Sequence, residues 1–275
     1  MREFAVAGSL TEECIHGFEP GMCASCFPPA APAAPAPVRR APRQAARSLR
    51  SPAAGATGKA AEVRPPNLPQ RIFHVTHMSN LPLILEAGRL LPPSEAQPAL
   101  RLASDLTHEL RGSAPVPGDG SPDDDGIERS ALDCVAFSLS PQATWWLEVQ
   151  EGAAGPTWSE AAKAASTVDF VVLGVDIAAV SNTVVVTDGD AAAPATRLGV
   201  GTEGRQRMLA RAAGTPEALQ AAEALVPGPV SLATVALVAV ANERRRDEVR
   251  DLLKSAGVTA KVAVYPPWFV PKVDD

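Results

Sequence analysis

A proline- and alanine-rich stretch over residues 28–69 constrains the fold of this chain most, because it separates a short N-terminal part from a long C-terminal part. It holds 10 Pro and 13 Ala in 42 residues, with seven basic residues against one acid. Such a composition buries too little apolar surface to offset the conformational entropy lost on ordering. We therefore predict that residues 28–69 form a disordered linker between two folded parts.

The charges are divided unevenly between this linker and the rest of the chain. The linker carries a net charge of +6, whereas the remainder has 18 basic against 30 acidic residues, a net charge of −12. The linker arginines either only keep the segment soluble or attract nucleic-acid phosphates in a salt-sensitive, sequence-independent way. The acidic balance elsewhere argues against broad DNA affinity through a basic surface.

Several classes of protein are excluded by the absence of their sequence signals. No apolar run approaches the roughly 18 residues required to span a bilayer. Residues 1–13 contain three glutamates and lack the basic-then-apolar pattern of a secretory signal peptide. Four cysteines in 275 residues are too few for a disulfide scaffold. We predict a cytoplasmic protein.

Metal-ligating residues cluster ahead of the linker, within residues 1–27. The spacing of Cys23 and Cys26 places two thiolates on one zinc ion, and Cys14 with His16 supplies the other two ligands of a tetrahedron. The alternatives are a redox-active Cys-x-x-Cys pair or chance clustering. Because so short a segment has no apolar core, we predict a small zinc module folded by metal binding.

Residues 70–275 combine strand and helix patterns and form the second predicted domain. We predict strands at Arg71–His77, Asp133–Leu139, Asp169–Val175, Asn182–Val186, Thr234–Ala241 and Lys261–Tyr265. We predict helices at Asn80–Ala87, capped by Ser79 and closed by Gly88, and at Leu100–Arg111, Arg205–Ala224 and Glu243–Ala256. Residues 113–130 are predicted to be a mobile acidic loop. Since helices and strands mix without a steady βαβ alternation, the fold class is α+β.

Polar residues occupy positions in this domain that an apolar core would not favour. His74 and Thr76 alternate on one face of the first predicted strand, and Asn80 opens the helix after it. The three side chains suit a ribose or an amide; alternatively, His74 is a hydrogen-bonded core residue and Asn80 only a helix cap. Glu223 is the sole charge in an apolar stretch, either the exposed end of a helix or a buried functional acid. Cys134 lies in an apolar run and is predicted to be a small buried hydrophobe.

A glycine string from Gly199 to Gly204 has the G-x-G-x-x-G spacing of dinucleotide-binding loops. Pro194 and an Asp-Gly-Asp turn interrupt the strand that should precede it, so we do not expect a Rossmann site.

Four segments of the second domain, taken in order, resemble the DarT family of nucleic-acid ADP-ribosyltransferase toxins. They are Phe73–His77 with Asn80-Leu81, Asp105-Leu106 with Arg111, Leu132–Pro141, and Glu223–Pro227. The ending, Val262–Trp268, also fits. The resemblance covers about Arg71 to Phe269, most of the chain beyond the linker.

The resemblance implies an ADP-ribosyltransferase-like core, a split mixed or antiparallel sheet with helices. NAD would be the co-substrate, and ADP-ribose would pass to a base in single-stranded DNA. Glu223 would stabilise the positive charge that develops on the ribose as nicotinamide leaves. Arg111, with Arg129 as the alternative, would clamp the pyrophosphate or stabilise the closed site.

The same resemblance assigns His74, Thr76 and Asn80 to the nicotinamide and its ribose. It also implies a toxin or phage-defence effector, with an antitoxin protein as a possible partner. RNA or protein could be the acceptor instead, because the aromatic-rich stretch of the family is absent here. Trp145 and Trp146 could stack on bases or pack in the core. A third possibility is a zinc-containing nucleic-acid-binding protein whose transferase domain is inactive.

Overall fold

The computed structural model describes residues 68–118, 127–180 and 183–270. The predicted zinc module and nearly all of the predicted linker lie outside these residues, as do positions 119–126 of the predicted acidic loop. Within the described ranges, no helix combines the length and the apolar character needed to cross a bilayer.

Twelve strands lie in the described residues. They are β1 (Arg71–His77), β2 (Arg89–Leu90), β3 (Pro115–Val116), β4 (Arg129–Ser130), β5 (Cys134–Ser138), β6 (Phe170–Asp176), β7 (Val185–Thr187), β8 (Leu198–Gly199), β9 (Glu223–Pro227), β10 (Val230–Ser231), β11 (Val235–Val240) and β12 (Lys261–Val264). The α-helices of the same residues are α1 (Leu81–Ala87), α2 (Asp105–Gly112), α3 (Thr144–Gln150), α4 (Glu160–Ala164), α5 (Gly201–Ala212), α6 (Pro216–Ala221) and α7 (Glu243–Ser255).

Eight of these strands form one sheet in the order β12-β11-β6-β1-β5-β9-β7-β8. Neighbours are antiparallel except for β11 and β12, so the sheet is mixed. All seven residues of β1 pair with β6, and all five of β5 pair with β9. In contrast, β1 and β5 share the single register pair Phe73–Ser138. The sheet is therefore two well-paired halves with a narrow junction, which confirms the predicted split α+β core.

Apolar side chains fill both faces of this sheet. One face packs Ile72, Phe137 and Leu173 against helices that include α7. The opposite face packs the fully buried Trp146 with Phe170 and neighbouring aromatic rings. Trp146 is thus a core residue, whereas Trp145 is only half-buried.

Cys134 is fully buried at the start of β5, as predicted for a small hydrophobe. Burial raises the pKa of its thiol to about 11, with a further contribution from neighbouring Asp133. The thiol is therefore protonated at neutral pH and unreactive.

Several helix boundaries in the structure differ from those predicted from the sequence. The predicted helix Arg205–Ala224 is wrong at its end, because α6 ends at Ala221 and Glu223 begins a strand. That Ala- and Leu-rich segment has high helix propensity, but pairing with β5 and β7 on its two sides overrides it. The predicted helix over Leu100–Arg111 starts only at Asp105, where the Ser104 hydroxyl accepts a hydrogen bond from the Thr107 amide.

Ser79 does not cap a helix as predicted. Residues Met78–Asn80 form a 3-10 turn capped by the His77 ring, and α1 begins directly after this turn, at Leu81. Gly88 does end α1, with φ of 64°, a left-handed conformation that favours glycine.

The glycine string serves close packing between β8 and α5. A Cβ on Gly199 would lie 2.4 Å from the carbonyl oxygen of Gly204, so any side chain there would force the helix away from the strand. Strand β8 pairs antiparallel with β7 at the edge of the sheet, unlike the parallel strands of a Rossmann fold.

Candidate active site

An ion pair between Arg111 and Glu223 forms the centre of the candidate site. Glu223 is the first residue of β9 and lies opposite Ser138, the β5 residue at the junction of the two half-sheets. Arg111 comes from the last turn of α2 and donates in parallel, Nη1 to Oε1 at 3.3 Å and Nη2 to Oε2 at 3.2 Å. The side chains are 12% and 10% exposed, so most of the pair is removed from water.

A turn that follows β7 completes the surroundings of this pair. The Glu223 amide donates to the Thr187 hydroxyl at 3.1 Å, which fixes the start of β9 against the end of β7. The amide of Ala191 donates to Glu223 Oε2 at 3.3 Å. Asp190 Oδ1 accepts from Arg111 Nη1 at 3.0 Å and from the Ala192 amide at 3.0 Å.

Asp190 is not among the site residues predicted from the sequence. Its sequence signal is an Asp-Gly-Asp turn directly after an apolar strand, a pattern that by itself indicates only a turn. Its carboxylate is 57% exposed, in contrast to that of Glu223. One guanidinium therefore holds a buried and an exposed carboxylate together.

Burial dominates the electrostatics of this cluster. It raises the pKa of Glu223; the charge of Arg111 acts in the opposite direction, and Asp190 adds to the increase. For Arg111, burial acts to lower the pKa, but Glu223 and Asp190 outweigh it and the pKa is raised. Arg111 is therefore permanently charged, and Glu223 takes up a proton more readily than an exposed glutamate does.

His74 lies beside the junction, one residue after the Phe73–Ser138 pair. Its Nδ1 donates to the carbonyl oxygen of Ala136 at 3.0 Å, and because a carbonyl only accepts, the proton is on Nδ1. Burial lowers the pKa of the ring, and the hydrogen bond to Ala136 only partly offsets this. His74 is thus a neutral imidazole whose Nε2 is an acceptor.

Thr76 and Asn80 form a second, buried group. Asn80 Nδ2 donates to Thr76 Oγ1 at 3.1 Å and to the Leu100 carbonyl at 2.9 Å. The Leu100 amide in turn donates to Asn80 Oδ1 at 2.8 Å. The carboxamide therefore anchors the segment that leads into α2. No hydrogen bond among the described residues connects this group directly with Arg111 and Glu223.

The other candidate residues are placed less centrally. Arg129 lies in β4, where its Nη1 donates to the Ile127 carbonyl at 3.5 Å, so the geometry places Arg111 and not Arg129 on Glu223. Trp145 donates from Nε1 to the Ser138 hydroxyl at 3.0 Å, at the junction beside Glu223. No group of metal-ligating side chains occurs in the described ranges, and the four predicted zinc ligands lie outside them.

Comparison with known proteins decides the family. Residues 73–270 match the family described as DarT, ssDNA thymidine ADP-ribosyltransferase. DNA ADP-ribosyl transferases of Mycobacterium bovis and Mycobacterium tuberculosis are each 30% identical over 210 residues, covering 71% of this chain and 86% of the relative. The chain belongs to the DarT family. It is an NAD-dependent DNA ADP-ribosyltransferase, as the sequence resemblance implied.

Solved DarT structures share the fold of this DarT chain. The DarT of Thermus sp. 2.9 in complex with ADP-ribosylated ssDNA has a TM-score of 0.60 at 23% identity, over 73% of this chain and 96% of the other. The same protein in complex with NAD+ has a TM-score of 0.55 at 22% identity, over 73% of this chain and 98% of the other. The split sheet that positions Glu223 in this DarT chain is therefore a shared architecture.

Proposed function

We propose that this chain transfers ADP-ribose from NAD to thymidine in single-stranded DNA, with Glu223 and Arg111 at the reacting centre. The observation that carries the proposal is their nearly buried bidentate pair beside the junction of the split sheet. The acceptor is taken from the description of the family and from the DNA-modifying relatives.

Glu223 supplies the negative charge that the reaction needs. As the bond from ribose C1′ to nicotinamide breaks, positive charge develops on the ribose, and a fixed carboxylate in a poorly solvated site stabilises it strongly. The carboxylate can also accept a hydrogen bond from a ribose hydroxyl. Ala191, Thr187 and Arg111 hold Glu223 in place, so little reorganisation is needed during the reaction.

Arg111 acts against the burial that raises the pKa of Glu223, and it presents further N–H donors. Its guanidinium has five N–H donors, and the contacts with Glu223 and Asp190 use only part of them. A pyrophosphate oxygen is a suitable acceptor for the remainder.

His74, Thr76 and Asn80 are proposed to hold nicotinamide and its ribose. His74 offers a neutral Nε2 acceptor, suited to the carboxamide N–H of nicotinamide or to a ribose hydroxyl. Asn80 and Thr76 are hydrogen-bonded to each other, and Asn80 anchors Leu100, which supports a role in holding this part of the site in shape.

The N-terminal part is proposed to assist targeting. One zinc ion on Cys14, His16, Cys23 and Cys26 would fold residues 1–27. The basic linker would add a salt-dependent attraction to DNA that the acidic remainder of the chain does not supply. An antitoxin protein, and with it a role as a toxin, stays a prediction.

The test uses the full chain with labelled NAD and a set of acceptors: single-stranded oligonucleotides with and without thymidine, duplex DNA, RNA and protein. We expect label only on thymidine-containing single strands. Glu223→Ala should abolish transfer while the melting temperature shows a folded protein, and Glu223→Gln separates charge from hydrogen bonding. Transfer only to RNA or protein would overturn the proposed acceptor, and wild-type turnover in both variants would remove Glu223 from the mechanism.

A further inference from the structure

Asp190, at the edge of the ion pair, presents a carboxylate oxygen that no described residue hydrogen-bonds. Its Oδ1 accepts from Arg111 Nη1 and from the Ala192 amide. Its Oδ2 accepts no hydrogen bond from the described residues, and the side chain is 57% exposed. An acceptor therefore faces solvent while its partner oxygen contacts the same guanidinium as Glu223.

The transfer to thymidine releases a proton that some group has to accept. Thymine bonded to deoxyribose has one ring N–H, at N3. When N3 attacks ribose C1′, the N3–C1′ bond forms, the bond from C1′ to nicotinamide breaks, and nicotinamide leaves neutral with the electron pair. The N3 proton is the remaining product, and it goes to a base.

Glu223 is poorly placed to be this base. Both of its oxygens accept from Arg111, and Oε2 also accepts from Ala191. Its side chain is only 10% exposed, whereas DNA approaches from solvent. Among the described residues, the one carboxylate oxygen of the cluster that accepts no hydrogen bond is Oδ2 of Asp190.

We propose that Asp190 accepts the N3 proton of the target thymine. Glu223, the other carboxylate that contacts Arg111, then acts on the ribose. This inference rests on the proposed function. General bases of this kind contribute about 10²–10⁴-fold to the rate.

Asp190→Asn is a sharp test, because the amide oxygen can keep both hydrogen bonds made by Oδ1 while the NH₂ group replaces the free Oδ2. The matched control is Asp188→Asn in the same turn, since Asp188 accepts from the Arg197 amide and pairs with Arg211, away from Glu223. Two rates are measured for each full-length variant: transfer to a thymidine-containing single strand, and hydrolysis of NAD without DNA.

For Asp190→Asn we expect transfer to fall about 10²-fold or more, while NAD hydrolysis falls much less, by about tenfold at most, because the variant also removes one negative charge from the cluster. The surviving transfer should rise with hydroxide concentration, and added formate should partly restore transfer in Asp190→Ala. Asp188→Asn should leave both rates near the wild-type values. An equal fall of both rates in Asp190→Asn, or unchanged transfer, would overturn the inference. Absence of thymidine transfer in the wild type would instead overturn the proposed function.

Discussion

Replacing Arg111 with methionine should reveal how much of the stability of the domain depends on the compensation of one buried charge. Methionine keeps a similar apolar length but leaves Glu223 with a single hydrogen bond to its carboxylate, from Ala191. Removing one partner of a buried ion pair costs about 3–5 kcal/mol, because the other charge stays buried without compensation. We expect about 3 kcal/mol at pH 7.5, the low end, since the pair is about a tenth exposed.

The loss should shrink at acidic pH. Burial already raises the pKa of Glu223, and removal of Arg111 raises it further because Arg111 acts to lower it. The folded state then binds the proton more tightly than the unfolded state, so the stability gained from protonation is lost as pH rises through the folded pKa. The deficit of Arg111→Met should therefore be smaller at pH 5 than at pH 7.5.

Urea unfolding at the two pH values measures this difference in the free energy of unfolding, and because urea is uncharged it does not screen the ion pair. With a slope of about 3 kcal/mol per M, the expected loss moves the midpoint by about 1 M at pH 7.5. The control is Arg211→Met, because Arg211 is 54% exposed and pairs with Asp188 at 3.3 Å. It should cost less than about 1 kcal/mol at both pH values. Equal losses for the two variants, or a pH-independent loss for Arg111→Met, would refute the reasoning.

Three further predictions concern the substrate side and the N-terminal part. His74→Ala should weaken NAD binding in calorimetry and, because it frees the Ala136 carbonyl, lower the melting temperature only modestly; a clearly lower melting temperature with unchanged affinity would favour a purely structural histidine. Asn80→Ala should lower the melting temperature, because it frees the Leu100 amide and carbonyl and leaves Thr76 without its donor; unchanged stability would show that the anchor is dispensable. Elemental analysis should find one zinc per chain, and Cys23→Ser should abolish it; well under one zinc in the wild type would contradict the assignment.

The regular elements were predictable where local pattern and pairing agree. Strands β6 and β11 were placed within one residue at each end, because β-branched apolar runs favour buried strands. Helix α7 begins where predicted, since Asn242 accepts a hydrogen bond from the Arg245 amide. In each of these elements a local signal and the tertiary environment favour the same structure.

The site was predictable by residue but not by geometry. Glu223 was selected as an isolated charge in an apolar stretch, yet a helix was predicted there because its pairing with β5 is made across 85 residues of sequence. Arg111 and Arg129 could not be distinguished from sequence, since the contact of Arg111 with Glu223 spans 112 residues. Asp190 carried no signal beyond a turn motif, because its importance comes from the arginine that it contacts.

The arrangement of charges explains why a site of this kind tolerates two carboxylates beside one arginine. With Arg111, Glu223 and Asp190 all ionised, the cluster carries a net charge of −1, which adds to the difficulty of keeping Glu223 ionised in its buried position. A developing positive charge on the ribose would relieve that unfavourable balance, and uncharged products would not. In bound NAD the positive charge lies on the nicotinamide ring, and it moves onto the ribose as the bond breaks. Stabilisation that is greater for the transition state than for the bound substrate is what accelerates a chemical step. The same excess of negative charge that makes the resting cluster costly thus favours the step in which the bond to nicotinamide breaks.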